Sequence, residues 1–221
     1  MFIKNVIFDL DGTLVDSRPG IEHSVDYALI QHGYSARASG LHTHIGPPIR
    51  TILQRISGET EPKALDGLEA AFRFSYDGEG WRQTVLREDA EETLSWLDNA
   101  GYRLYLVTNK PWRATQKITE HFGLTTLLAK MISPDSGVPP YSSKAAMIGY
   151  LMEEEGLSPS NSIVVGDTEQ DLEAATEVGV RAVLLTTGYD RILPRQDGEG
   201  AVLINALSEL KSIIDPIGGQ A

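Results

Sequence analysis

Four short apolar runs, each stopped by acids, Thr or Gly, constrain this 221-residue chain more than any other feature. Val6-Ile7-Phe8 stops at Asp9-Leu10-Asp11-Gly12-Thr13, and Leu104-Tyr105-Leu106-Val107 stops at Thr108-Asn109-Lys110-Pro111. Ile163-Val164-Val165 ends in Gly166-Asp167, and Ala182-Val183-Leu184-Leu185 ends in Thr186-Thr187-Gly188. Runs this short, apolar throughout and closed by polar residues, are predicted to be buried parallel strands whose ends meet solvent or a ligand. Residues 127–132 and 201–204 are weaker candidates.

Helical stripes lie between the runs. Ala90, Leu94 and Leu97 precede a stop at 99–101; Ile118 and Phe122 precede Gly123; Ala145, Ile148 and Met152 precede Gly156; Leu172, Ala175 and Val178 precede Gly179. Alternating strands and helices predict right-handed βαβ crossovers and an α/β fold, a Rossmann-like parallel sheet with helices on both faces. In such sheets ligands bind beyond the carboxyl ends of the strands, where all these polar clusters fall.

Residues 16–82 break the rhythm. Ile21, Val25, Ala28 and Leu29 stripe one helix, Ile49, Leu53 and Ile56 another, and Leu65, Leu68 and Phe72 a third, with no comparable strand among them. The expected organisation is therefore a sheet core of residues 1–15 and 83–221, with an all-helical module of residues 16–82 inserted after the first strand. Its hinges are expected near Asp16-Ser17-Arg18-Pro19 and near Gly78-Glu79-Gly80.

Charge bounds the partners. With 19 Lys and Arg against 31 Asp and Glu the net charge is −12, which argues against nucleic acid and anionic membrane surfaces, both of which need a basic face. A small anionic substrate stays open, because a local cation outweighs a distant negative field. There is no cysteine, hence no disulfide framework, thiolate metal site or Cys nucleophile. The apolar start is too short for a signal-peptide core or a membrane span, so a cytoplasmic protein is expected, with no membrane partner. Monomer and homodimer are both compatible with the pattern.

The acids carry the chemistry. Asp9 and Asp11 sit two apart at a strand end, so in extended chain both carboxylates point the same way and require a cation or a shared proton. Asp167 and Asp171 form a second pair just past the run Ile163-Val164-Val165. Hard oxygen ligands without His or Cys favour Mg²⁺ over zinc. A carboxylate beside such a metal can attack phosphorus, and Thr108 and Lys144 are candidates to neutralise the transferring phosphoryl oxygens.

In order, these segments resemble the four motifs of the haloacid dehalogenase superfamily: VIFDLDGTLVDS the first, LVTNKP the second, Lys144 the third and IVVGDTEQD the fourth. The style is that of the phosphoglycolate phosphatase-like branch, and the helical module resembles that family's small helical cap. The resemblance implies a Mg²⁺-dependent phosphatase acting on a small phosphorylated metabolite. Asp9 would be nucleophile and metal ligand. Asp11 would be general acid and base, and a metal ligand through its backbone carbonyl. Thr108, Asn109 and Lys144 would bind the phosphoryl group, Asp167 would bind the metal, and Asp171 would bind it directly, through water or from behind another ligand. The third motif departs from the common Lys-Pro, reading Gly137-Val138-Pro139-Pro140-Tyr141-Ser142-Ser143-Lys144, which leaves Lys110 and Lys130 as competitors for the lysine role.

Plainer readings stand beside these. Asp171 could simply complement a helix N-terminus. Lys110-Pro111 could be an ordinary strand-to-helix turn. His42-Thr43-His44 reads as a polar loop, and Glu153-Glu154-Glu155 as a solvated helix end. Arg50 in the helical module is a candidate for gripping the non-transferred end of a substrate. The alternatives to a phosphatase are a phosphomutase of the β-phosphoglucomutase type on the same scaffold and a non-catalytic binding protein. A receiver-type phospho-acceptor ranks last, since it predicts a far shorter chain with no insert.

Overall fold

The apolar runs become strands of one sheet. In the computed structural model, which describes residues 3–36, 48–189 and 201–214, β1 (Asn5–Phe8), β4 (Arg103–Val107), β5 (Leu128–Ile132), β6 (Ser162–Gly166), β7 (Arg181–Leu185) and β8 (Val202–Ile204) form a six-stranded sheet. Its order is β5-β4-β1-β6-β7-β8 and every neighbouring pair is parallel. The two weak candidates are the edge strands β5 and β8. An edge is covered less completely, so its composition is mixed where the central strands are apolar after their first residue. Two further strands of two residues each, β2 (Val15–Asp16) and β3 (Val85–Leu86), pair with one another and are too short to leave a periodic signal.

Register places the strand ends side by side. Phe8 of β1 lies opposite Leu106 of β4 and Val165 of β6. The chain runs outward from β1 through β4 to β5, then returns to its other side for β6 to β8. The end of β1 is therefore the point where strand order reverses, the usual ligand crevice of an open parallel sheet.

Helices α4 (Ala90–Asn99), α5 (Trp112–His121), α6 (Lys144–Glu155), α7 (Glu169–Glu177) and α8 (Leu210–Ile214) belong to the same unit. One face of the sheet, from Ile7, Tyr105, Val107 and Val164, packs against Met147, Ile148 and Leu151 of α6 and Leu172 and Ala175 of α7. The residues pointing the other way, among them Val6, Phe8, Leu104, Leu106, Ile163 and Val165, are buried as well. Both faces are covered, as continuous apolar strands require.

The chain divides into two compact units, Met1–Val15 with Leu86–Ala221, and Asp16–Val85. The second holds α1 (Arg18–Gln31), α2 (Ile49–Ser57) and α3 (Pro62–Gly78) around Val25, Leu29, Leu53, Leu68 and Phe72. Its far boundary falls beyond Gly78-Glu79-Gly80. Gly80 packs so closely on α1 that a Cβ added to Gly20 would stand 2.0 Å from the Gly80 carbonyl oxygen, so the 3₁₀ turn Gly80–Gln83 stays with the helices. His42 and His44 lie outside the described residues.

The acidic end of α6 is more than a solvated tip. Glu155 pairs with Arg103 of β4 at 2.6 Å and Glu154 pairs with Lys130 of the edge strand β5, so it fastens the helix to both strands. These partners lie far off in sequence, and no local pattern signals them. Among the described residues, no helix is long and apolar enough to cross a membrane.

Candidate active site

The first acid of each candidate pair sits one step past a strand. Asp9 follows β1, its N–H donating to the Val165 carbonyl at 2.9 Å, and Asp167 follows β6. Thr108 follows β4 and donates its N–H to the Ile132 carbonyl at 3.1 Å. Lys144 is the first residue of α6, whose N-cap Ser143 accepts from the Ala146 N–H at 3.0 Å. Asp9, Thr108, Lys144, Asp167 and Asp171 are all buried.

One carboxylate oxygen from each of Asp9, Asp167 and Asp171 lies within 4.8 Å of the others. Lys144 Nζ stands 2.5 Å from both Asp9 Oδ1 and Asp171 Oδ1. The ammonium thus pairs with Asp9 and Asp171, and with all three buried carboxylates ionised their charge would exceed its own by two. A hard divalent cation matches that deficit in charge and in donor chemistry.

The titration behaviour follows the same imbalance. Burial, with Asp171 and Asp11 adding to it against the pull of Lys144, pushes the Asp9 carboxyl up to about 7. Burial, then the Asp9 and Asp171 carboxylates, drives Asp167 well above the usual carboxylate range. Asp171 is buried too, yet the Lys144 ammonium and the donors of Thr168 hold it low. Burial alone would lower Lys144, and the Asp171 and Asp9 carboxylates outweigh it and hold the ammonium above its usual range.

The hydrogen bonds sort the acids by role. Asp167 Oδ1 accepts from the Thr13 hydroxyl at 2.9 Å and Oδ2 from the Tyr189 N–H at 2.7 Å. Asp171 Oδ2 accepts from the N–H of Asp167 at 3.1 Å and from the N–H and hydroxyl of Thr168 at 2.9 and 2.7 Å. Thr168 and Asp171 form a capping box at the start of α7, so the plain helix-cap reading of Asp171 holds for one oxygen while the other faces Lys144.

Of the competing lysines, Lys130 belongs to the β5 edge with Glu154, and Lys110 is buried with its Nζ 3.0 Å from both Asp11 oxygens. The turn at Lys110 is therefore more than a connection. Asn109 is exposed, its Nδ2 donating to Gln170 Oε1 at 3.1 Å. Arg50 pairs with Asp66 at 2.6 Å and donates to the Pro62 carbonyl at 3.1 Å, within the helical unit.

Sequence reasoning did not single out Thr13, Lys110 as a partner of Asp11, Thr168 or the Tyr189 N–H. The Thr-x-x-Asp spacing of Thr168 and Asp171 is a readable capping signal. The other three depend on contacts between distant segments.

A parallel α/β sheet with buried acids, a threonine and a lysine gathered at the strand-order reversal defines a hydrolase-type site. The chain belongs to the haloacid dehalogenase-like hydrolase family, whose profile matches residues 6–185. It is 29% identical to a phosphoglycolate phosphatase of Aliivibrio fischeri over 96% of both chains. It is 32% identical to one of Pseudomonas syringae over 94% of this chain and 78% of the relative. Among solved structures, a predicted phosphatase from Clostridium acetobutylicum superposes with a TM-score of 0.84 at 28% identity, covering 98% of this chain and all (100%) of the other.

Proposed function

We propose that this haloacid dehalogenase-like phosphatase hydrolyses a small phosphorylated metabolite, of the phosphoglycolate or sugar-phosphate kind, through a phospho-aspartate on Asp9 with Mg²⁺ as cofactor. The observation that carries the reading is the convergence of the buried carboxylates of Asp9, Asp167 and Asp171, two of which, Asp9 and Asp171, pair with the buried ammonium of Lys144.

The Asp9 carboxylate attacks phosphorus, and the bond from phosphorus to the ester oxygen breaks as the acyl-phosphate forms. Asp11 gives a proton to the departing alkoxide. It then takes one from a water that attacks the same phosphorus, so that inorganic phosphate leaves and Asp9 is restored. Lys144 and the Thr108 hydroxyl balance charge on the phosphoryl oxygens, with Asn109 at the rim. Asp9, Asp167 and the backbone carbonyl of Asp11 would hold Mg²⁺, and Asp171 would stand behind them, fixing Lys144. When bound, the ion supplies the positive charge that the cluster lacks and that the phosphoryl oxygens need.

The helical unit would act as a cap that selects the substrate. Arg50, the candidate for that selection, is paired with Asp66 and Glu69, which disfavours a mutase that must grip both ends of a sugar phosphate. A cytoplasmic enzyme, monomeric or homodimeric, completes the reading.

The test is phosphate release from a panel of phosphate monoesters with and without Mg²⁺, for wild type and Asp9→Asn. Release that needs Mg²⁺ and vanishes in Asp9→Asn is expected. An active Asp9→Asn, or release indifferent to divalent cations, overturns the mechanism. Activity only with a bisphosphorylated sugar activator would make the enzyme a mutase.

A further inference from the structure

We propose that Arg87 is a positioning residue for Asp167, fastening together the two loops whose donors hold that carboxylate. The inference rests on the reading above that Asp167 binds Mg²⁺.

Asp167 is held by one donor from each of two loops, the Thr13 hydroxyl after β1 and the Tyr189 N–H after β7. Neither loop is held to the other by sheet pairing, because both lie beyond the strand ends. Arg87 spans them. Its Nη1 donates to the carbonyls of Gly12 at 3.2 Å and of Thr187 at 3.3 Å, and its Nη2 donates to the Thr187 hydroxyl at 2.6 Å. Its own N–H donates to the Leu14 carbonyl at 3.0 Å. A planar guanidinium makes such a fork in a fixed geometry, which a single ammonium cannot reproduce.

The packing at Asp167 leaves little tolerance for movement of either loop. A Cβ on Gly12 would stand 2.2 Å from Asp167 Oδ2, and a Cβ on Gly188 would stand 2.2 Å from the Asp167 Cβ. The carboxylate is therefore gripped between two glycine backbones, and Arg87 bonds to Gly12 itself and to Thr187, the neighbour of Gly188. Arg87 is also the residue after β3, where the chain passes from the helical unit back to the sheet unit. A group one bond network away from a metal ligand commonly sets metal affinity through the orientation of that ligand.

Calorimetric titration of the metal-free full chain with MgCl₂, in the absence of substrate, tests this. Arg87→Met is expected to weaken Mg²⁺ binding by about tenfold or more, with Arg87→Lys recovering part of the loss. Thr187→Val, which removes one acceptor of the clamp, should weaken it by a smaller factor, and Arg82→Ala, an exposed residue paired with Glu79, should bind as wild type does. Circular dichroism and melting of the metal-free proteins report folding separately. A folded Arg87→Met with wild-type affinity overturns the proposal, even if it melts earlier, since that is what a purely structural staple would give. Should Arg87→Met fail to fold, wild-type affinity in Thr187→Val overturns it instead. Wild type that binds no Mg²⁺ would overturn the cofactor reading and this inference together, whereas unchanged variants beside a binding wild type overturn this inference alone.

Discussion

Lys110 Nζ lies 3.0 Å from both carboxylate oxygens of Asp11, and only 5% of the lysine side chain meets solvent. The two residues are separated by 99 positions and come from the ends of adjacent strands. The lysine thus fixes where the proposed general acid and base stands, and its backbone is tied in turn to Thr108 by a 3.2 Å bond from the Lys110 N–H to the Thr108 hydroxyl.

Lys110→Met should therefore lower kcat by about ten- to a hundredfold with little change in KM, because a displaced proton carrier harms the chemical step more than binding. Steady-state kinetics on the best substrate check this. A KM effect alone would assign Lys110 to substrate binding.

Lys144→Met strips the ammonium that pairs with the buried Asp9 and Asp171 carboxylates. Breaking a buried pair by removing one partner costs about 3–5 kcal/mol, so the metal-free variant should unfold at clearly lower urea than wild type and should release no phosphate. A denaturation midpoint equal to that of wild type would mean that the cluster is already neutral.

Asp9 sets a pH dependence of the metal-free protein. Its carboxyl is pushed up to about 7 by burial, against an ordinary value of 3.8. The folded state therefore holds this proton more tightly than the unfolded chain. The stability linked to it is fully present below the ordinary value and is lost as pH rises through about 7. Asp9→Asn removes that loss, so the variant's stability relative to wild type should grow between about pH 5 and about pH 8 in urea titrations without metal. A constant difference across the range would contradict the buried, proton-retaining Asp9.

Two glycines should respond in opposite directions. Gly188→Ala drives a methyl onto the Asp167 Cβ and should cost about 1–3 kcal/mol along with Mg²⁺-dependent activity. Gly149 lies inside α6 with nothing within 4 Å of an added Cβ, so Gly149→Ala should stabilise by about 0.4–1 kcal/mol and leave activity intact. Thermal melts and phosphate release on the pair measure both effects.

The sheet and its polar strand ends were legible in the sequence because their causes are local. A strand buried on both faces must be apolar throughout, and it must stop where a polar side chain meets the crevice. The central strands therefore carry strong runs, the edges β5 and β8 carry weak ones, and Asp9, Thr108 and Asp167 fall one or two residues past a run's end. The Thr168–Asp171 cap is local as well, and so readable. What the tertiary structure decided is pairing. Lys110 attaches to Asp11, Lys130 in the edge strand to Glu154 and Lys144 to Asp9 across 135 residues, although all three were open to the same role in the sequence. Thr13 reaches Asp167 across 154 residues, and Arg87 reaches Thr187 across 100. A charge selects its partner by distance and burial in the folded chain. Strand order and register set both, and neither is written in the spacing of residues along one segment.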